Sequence, residues 1–381
     1  MTFTITITAL WQTRRDMDQS YRVANVESLD TPTLLIYEDK IRENIARIGQ
    51  LLDGYQHLRP HIKTHKCREV LRMQMTAGVD RVKCATRKEV ELAASEGARE
   101  ILWAYPMVGP LAQKAAALQR KYPGVVLDVL ADDPRQIPTL SNACRSESVE
   151  LGVMVDVNPG MNRTGLSDAD ARDLARMIAR TPGLRFSGLH TYGSPPAQGG
   201  VEEREAIYRQ AIQRAVDTRR TLERAGMPVP RLIAGGSPDF LVAAKMDGVD
   251  EVSPGTWIFW DKGYEDLAPG RFVYAALVLG RVISRPTATL FTVDAGYKSV
   301  SADPPLPHAQ CLSVAGTTAI GRWEEHLLVR LDAPSSEPTV GTPVYIVPVH
   351  VCSTVNLWDE ALVVNARGEV TGRWQIEARG H

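Results

Sequence analysis

The feature that most constrains the fold is a rhythm, in which short β-branched runs begin near Leu58, Asp80, Glu100, Val125, Glu150, Leu184, Arg231 and Glu251. Most are followed by a helical pattern such as "TRKEVELAASEGA" or "VEEREAIYRQAIQRAVDTRRTLERAG". About eight strands alternating with helices is the count that closes a parallel (β/α)8 barrel of the TIM type; an open doubly wound sheet shares the rhythm. From Phe272 helical periodicity gives way to runs such as "FVYAALVLGRVISRP", "ATLFTVDAG" and "HLLVRLD", broken by Gly and Pro. The expected organisation is an α/β barrel over 31–270 and a second, mostly antiparallel β domain over 271–381, with residues 1–30 associated with the latter.

Composition narrows the function. The chain has 381 residues, 44% hydrophobic, with 44 basic against 45 acidic residues and a net charge of -1. That balance excludes the basic surface nucleic acid demands. The opening "MTFTITITALWQTRRDMDQ" fits neither a secretory signal nor a spanning helix, so no membrane role is expected and the cytoplasm is the default location. Five cysteines without a CxxC pair argue against a disulfide framework or zinc ribbon.

Barrel enzymes carry their chemistry at the carboxyl ends of the strands. "RPHIKTHK" (Arg59 to Lys66) places five basic or imidazole side chains in eight residues. Pro60 disfavours helix at Arg59. In an extended segment Arg59, His61, Lys63 and His65 would share one face, with Lys66 off it. At the other end of the rhythm, Gly235 and Gly236 of "AGGSPDF" allow close backbone approach, Ser237 suits a helix cap and Pro238 a first helical position. With Gly255 and Thr256 of "SPGTW" after the next strand, this is where barrels commonly hold a phosphate group. A lysine opposite a phosphate cradle is what pyridoxal 5'-phosphate needs, the amine holding the aldehyde and the loops the phosphate. Positive charge from Arg59 and His61 would depress the Lys63 pKa and favour its free amine.

"RPHIKTHK", "NRTG", "AGGSPDF", "EVSPGTWIFWD", "VDAGYKSVSAD" and "PVHVCSTVN" resemble the D-serine dehydratase and D-threonine aldolase family, alanine racemase-like enzymes of pyridoxal phosphate fold type III. The resemblance implies that Lys63 binds the cofactor aldehyde and that Arg163 lies near the phenolic oxygen; with His61, placed beside Lys63 by the basic face, these form the expected catalytic set. It also implies that Tyr192 stacks on the ring and that Gly235, Gly236, Ser237, Gly255 and Thr256 surround the phosphate. It makes "HVC" legible: His350 and Cys352, two apart in an expected β segment, would share a divalent cation. A thiolate with an imidazole favours Zn2+ over Mn2+ or another divalent cation. Family dehydratases show His-x-Cys here and aldolases His-x-Asp.

The resulting expectation is a homodimeric lyase that removes water and then ammonia from a D-3-hydroxy amino acid (D-serine, D-threonine or 3-hydroxyaspartate), leaving a 2-oxo acid. A metal-dependent D-threonine or 3-hydroxyaspartate aldolase is the alternative. An amino acid racemase and a non-catalytic pyridoxal phosphate-binding protein stand further off.

Overall fold

The computed structural model describes residues 17–193 and 199–381; the opening residues 1–16, read above as neither signal nor span, lie outside them. One compact unit gathers the described residues up to Lys40 with Trp260–Trp374; the other is Ile41–Phe259 with Gln375–His381. This division departs from 31–270 and 271–381 at both ends. Strand β1 (Thr33–Tyr37) belongs with the β unit, where its backbone finds both its partners, and the last seven residues belong with the barrel.

The barrel unit is a parallel sheet of β2 (Arg81–Cys84), β3 (Glu100–Pro106), β4 (Val126–Ala131), β5 (Leu151–Asp156), β6 (Leu184–His190), β7 (Leu232–Ala234) and β8 (Glu251–Val252) in that order. The eighth staff of the barrel is a minimal one. Leu58 bridges Val252 and His61 bridges Lys83, both in parallel sense. The Arg59 N–H donates to the Val252 carbonyl (2.9 Å) and the Ile62 N–H to the Lys83 carbonyl (3.0 Å), so this segment joins both sheet edges. Intervening helices form on the expected pattern: Asp168–Ala179 is capped by the Ser167 hydroxyl and buries Ala171, Leu174, Ala175 and Ile178 at three- and four-residue spacing. Gly188 holds φ +129 where a Cβ would come 2.0 Å from the Arg231 carbonyl oxygen, so only glycine lets β6 and β7 approach.

Leu102, Leu130, Met154 and Ile233 pack together from four of these strands. At the amino ends of the strands lies a buried ion network: Arg59, fully buried, donates to Glu251 (2.5 Å) and Glu100 (2.9 Å), and Arg81 reaches Glu251 (2.9 Å). The carboxyl ends carry the polar groups of the cavity described below.

In the β unit, β9 (Ala276–Thr287) is central, running antiparallel to β1, to β10 (Leu290–Val293) and to β14 (Pro343–Pro348). The remaining strands are β11 (Ala309–Cys311), β12 (Thr317–Arg322), β13 (Leu327–Leu331), β15 (Glu360–Val364) and β16 (Val370–Gln375). The pairing of β1 with β15 is parallel; the antiparallel reading holds for β9 through β14. Alternate residues Leu35 and Tyr37, Leu277 and Leu279, Tyr345 and Val347, Leu362 and Val364 form its core, with Tyr21 and Val23 packed on them. The Tyr37 hydroxyl donates to the Tyr21 carbonyl (2.8 Å) and the Tyr345 hydroxyl accepts from the Val23 N–H (3.0 Å), which fixes the segment before β1 on this core.

Candidate functional site

The mouth of the barrel opens on a cavity of about 510 Å3, lined by side chains that include His61, Lys63, Lys83, Asp156, Arg163, His190 and Tyr192. Each comes from a strand end or the loop after it, where inward-pointing residues emerge from the packed interior. Tyr192 stands at the centre. Lys83 Nζ lies 4.5 Å from its ring centroid, Lys63 Nζ 5.3 Å, and the Arg163 guanidinium carbon 5.2 Å. Cations over an aromatic face are attracted by its quadrupole. Among the described lining residues Asp156 is the only carboxylate, against three basic side chains.

A buried hydrogen-bonded line backs this cavity. The Thr164 hydroxyl donates to Asp156 (2.8 Å), Asp156 pairs with His190 Nδ1 (2.7 Å), and His190 Nε2 meets Lys83 Nζ (2.7 Å). Burial, with Lys83 beside it, pulls the His190 imidazole down to about 4, so it is neutral at pH 7. Burial and the nearby Lys63 charge pull Lys83 down to about 7. Asp156 stays below the ordinary carboxylate value, because His190, Thr164 and Lys83 outweigh its burial.

The basic octapeptide is extended only as far as His61. Beyond it the chain turns, and Lys66 adopts φ +51. His65 does not share the face of Lys63: its Nδ1 meets the Cys67 backbone (3.1 Å to the carbonyl) and its Nε2 meets Gln74 (3.0 Å). Lys66 Nζ donates to the Lys63 carbonyl and lines no part of the cavity. Arg59 and His61 contribute no positive charge to Lys63. Arg59 is matched by two carboxylates at the far end of the barrel, and burial holds His61 well below its ordinary pKa and hence neutral. Near Lys63 lie Lys66, on its carbonyl, and Lys83 and Arg163, which share the Tyr192 ring with it.

The two loops after β7 and β8 do come together, through a contact other than the one expected. Ser237 caps no helix of its own; its hydroxyl accepts from the backbone N–H groups of Gly255 (3.1 Å) and Thr256 (2.9 Å). Asp239 is the N-cap of the short helix Phe240–Ala243, and its carboxylate accepts from the Gly236 N–H (2.6 Å). Gly235 has φ +75, and a Cβ on Gly236 would sit 2.7 Å from the Tyr192 ring. Gly236 therefore makes room for Tyr192, and Gly235 for the helix Phe240–Ala243.

Within the β unit, His350 is the N-cap of the helix Val351–Val355 and Cys352 lies in its first turn, so the two-residue spacing is that of a helix start, not of a strand. The pairing of the side chains survives the change. Although burial lowers the His350 pKa, the Cys352 thiol and the Asp303 carboxylate beside it raise it to about 9. His350 Nδ1 pairs with Asp303, which also accepts from Ser301 (2.6 Å) and Ser353 (2.8 Å). This leaves Nε2 as the imidazole atom for a ligand. Among the described residues no cluster of three or more His, Cys, Asp or Glu residues with metal-binding geometry occurs.

A family model described as "Alanine racemase, N-terminal domain" matches residues 36–262, and one described as "Putative serine dehydratase domain" matches 275–364. A D-threonine aldolase of Arthrobacter sp. is 30% identical over 92% of this chain and 93% of its own length. The chain belongs to the D-serine dehydratase and D-threonine aldolase family. Another relative in this family, the D-threo-3-hydroxyaspartate dehydratase of Delftia sp., is 29% identical over 86% of this chain and 92% of its own. The solved D-threonine aldolase from Filomicrobium marinum superposes with a TM-score of 0.84 at 28% identity, covering 93% of this chain and 97% of that one. A metal-free form of the 3-hydroxyaspartate dehydratase superposes with a TM-score of 0.81 at 27% identity, covering 93% and 98%.

For a family enzyme the cavity's donor set fits pyridoxal phosphate: a half-buried lysine at the mouth, an aromatic face beside it, and a surplus of cations that an anionic ligand would balance. Buried near the strand-eight loop, the Ser253 hydroxyl has no hydrogen-bond partner among the described residues. Sequence reasoning missed Lys83, His190, Asp156 and Asp303. A signal existed for each: a lysine at an inward position of "RVKCA", polar residues ending "VMVD" and "SGLH", and the last residue of "VDAGYKSVSAD".

Proposed function

We propose that this protein is a pyridoxal phosphate and zinc dependent lyase that dehydrates a D-3-hydroxy amino acid, giving a 2-oxo acid and ammonia. The observation that carries the reading is the thiol of Cys352 beside His350, an imidazole and a soft donor held together by Asp303 and the start of a helix. The relatives support it. Solved forms of the 3-hydroxyaspartate dehydratase include a metal-free one in which a cysteine is replaced by alanine, and one in which a histidine two positions earlier is replaced.

Bound in the cavity, pyridoxal phosphate would supply an electron sink that acidifies the substrate's α carbon. Lys63 would hold the aldehyde, and its Nζ would be the atom that carries the substrate's α proton. Tyr192 would give the cofactor ring its face, Arg163 would pair with the phenolic oxygen, and Gly235, Gly236, Ser237, Gly255 and Thr256 would meet the phosphate. His61, neutral and buried, orients the turn by accepting from the Lys63 N–H (3.3 Å). A zinc ion on His350 and Cys352 would supply the Lewis acid that lets hydroxide leave.

The second reading is retro-aldol cleavage, favoured by the aldolase names of the 30% identical relative and of a 3-hydroxy-D-aspartate aldolase from Paracoccus denitrificans, 28% identical. Incubation with D- and L-serine, threonine and 3-hydroxyaspartate, before and after chelation, separates the two. Ammonia and 2-oxo acid from D-substrates, lost on chelation, support dehydration; aldehyde with glycine supports the aldolase. Ammonia release that survives thorough chelation would overturn the metal-dependent reading.

A further inference from the structure

The cavity holds a second lysine, and its surroundings differ in kind from those of Lys63. Lys83 is 2% exposed, points to the cavity from the end of β2, and meets His190 Nε2 at 2.7 Å; His190 in turn meets Asp156 at 2.7 Å. Because the imidazole is neutral, one tautomer satisfies the whole line: Nδ1–H donates to the Asp156 carboxylate and Nε2 accepts from the lysine nitrogen. The same hydrogen bond serves Lys83 as amine or as ammonium, so a proton can be gained or lost at Nζ with no side chain moving. A structural ion pair would instead place the carboxylate directly on the lysine.

We propose that Lys83 is a second acid–base residue of this cavity, exchanging a proton with the bound hydroxy amino acid alongside Lys63, with His190 and Asp156 as its positioning residues. The inference rests on the lyase reading above for the identity of the substrate. Taking one proton from the substrate converts the Lys83 amine to an ammonium whose added charge faces Asp156 through the imidazole; returning it restores the starting state, so the cycle balances with no further reactant.

The charged and titratable groups facing Lys83 set its proton affinity. His61 comes from the end of the minimal strand and Lys63 from the turn after it, Asp156 and Arg163 from β5 and its loop, His190 from β6, and Asp239 from the N-cap of the helix after β7. Burial and then the Lys63 charge bring Lys83 to about 7, with Arg163 acting in the same direction and Asp156 and Asp239 opposing. A lysine at that value is near the optimum for proton exchange at neutral pH.

The first test needs no turnover. Cofactor-free wild-type protein is acetylated with acetic anhydride across a pH series and the extent at Lys83 is read by mass spectrometry. Half-maximal labelling near pH 7, moving to lower pH in Asp156→Asn, is expected. A midpoint in the ordinary lysine range, about 10, or one that ignores Asp156→Asn, overturns the proposal. The second test uses holoenzyme. Lys83→Met should retain the cofactor's visible absorbance and keep KM within a few-fold while kcat falls by on the order of 10^2, with the pH–rate profile losing one limb. Lys83→Gln is the alternative should the first variant fold poorly. Unchanged kcat and profile, or loss of cofactor binding alone, would refute an acid–base role. Failure of the wild type to turn over any hydroxy amino acid counts against the lyase reading only; the labelling experiment still decides on Lys83.

Discussion

Replacing Arg59 with methionine tests the ion network at the closed end of the barrel. Arg59 is completely buried and makes three hydrogen bonds to carboxylate oxygens: 2.5 and 3.3 Å to Glu251 and 2.9 Å to Glu100. Methionine fills most of the stem volume but leaves Glu251, 4% exposed, with only Arg81 at 2.9 Å and the more distant Arg231 at 3.6 Å. Removing one member of a buried ion pair costs about 3–5 kcal/mol, and the surviving arginines place this case at the low end, about 3 kcal/mol. For a unit of this size that is a fall in Tm of roughly 6–12 °C. A second signature lies in acid. Arg231 and Arg59 overcome burial to hold Glu100 at about 2. A depressed carboxylate contributes stability that is present above its ordinary pKa near 4.3 and lost as pH falls from there through about 2. Two units correspond to about 3 kcal/mol, reduced to about 2 by solvent at the partly exposed Glu100. Urea melts followed by circular dichroism at pH 7, 4.5 and 3 should therefore show wild type losing stability more steeply toward acid than Arg59→Met. The double variant Arg59→Met with Glu251→Leu should recover most of the loss at pH 7. Equal Tm values for wild type and Arg59→Met, or parallel acid slopes, would refute the reasoning.

Three further outcomes are expected. Borohydride reduction of holoenzyme followed by peptide mapping should fix the cofactor to Lys63, with none on Lys66 or Lys83; label on either neighbour would displace Lys63 from its proposed role. Gly236→Val should weaken pyridoxal phosphate binding, read by absorbance titration, far more than it lowers Tm, because its Cβ falls 2.7 Å from the Tyr192 ring and pushes that face aside; unaltered cofactor affinity would show that the ring is not part of the site. Asp303→Ala should lower zinc affinity about 10–100-fold, by loss of the group that orients His350, measured by competition with a chromogenic chelator; unchanged affinity would place the metal elsewhere.

The barrel was legible because its signal is local. Each strand start coincides with a change of hydrophobic period, and the charged residues there, Arg59, Glu100, Arg231 and Glu251, mark one end of the interior. The placement of β1 was not legible. Its partners, Leu279 to Ala276 and Leu362 to Val364, lie more than 200 residues along the chain, and a five-residue apolar strand carries no mark of which sheet will take it. The turn after His61 was missed for a related reason: alternation of basic and apolar residues satisfies a period of two whether or not the backbone stays extended. Ser237 shows the limit of capping rules, since its hydroxyl found the amides of another loop eighteen residues on. Lys63 was chosen on parity and Lys83 passed over, although "RVKCA" puts Lys83 on the same side as Arg81.

The last seven residues belong to the barrel unit, and their contacts fall on the basic turn: the Ala378 N–H donates to the Lys66 carbonyl (3.1 Å), and Glu377 pairs with Arg68 (2.8 Å). During synthesis the barrel strands leave the ribosome well before these residues do, so the basic turn gains these two contacts only after the entire β unit has been made. A gene fragment ending at Phe259 would encode all eight staves and still lack this clasp on the basic turn.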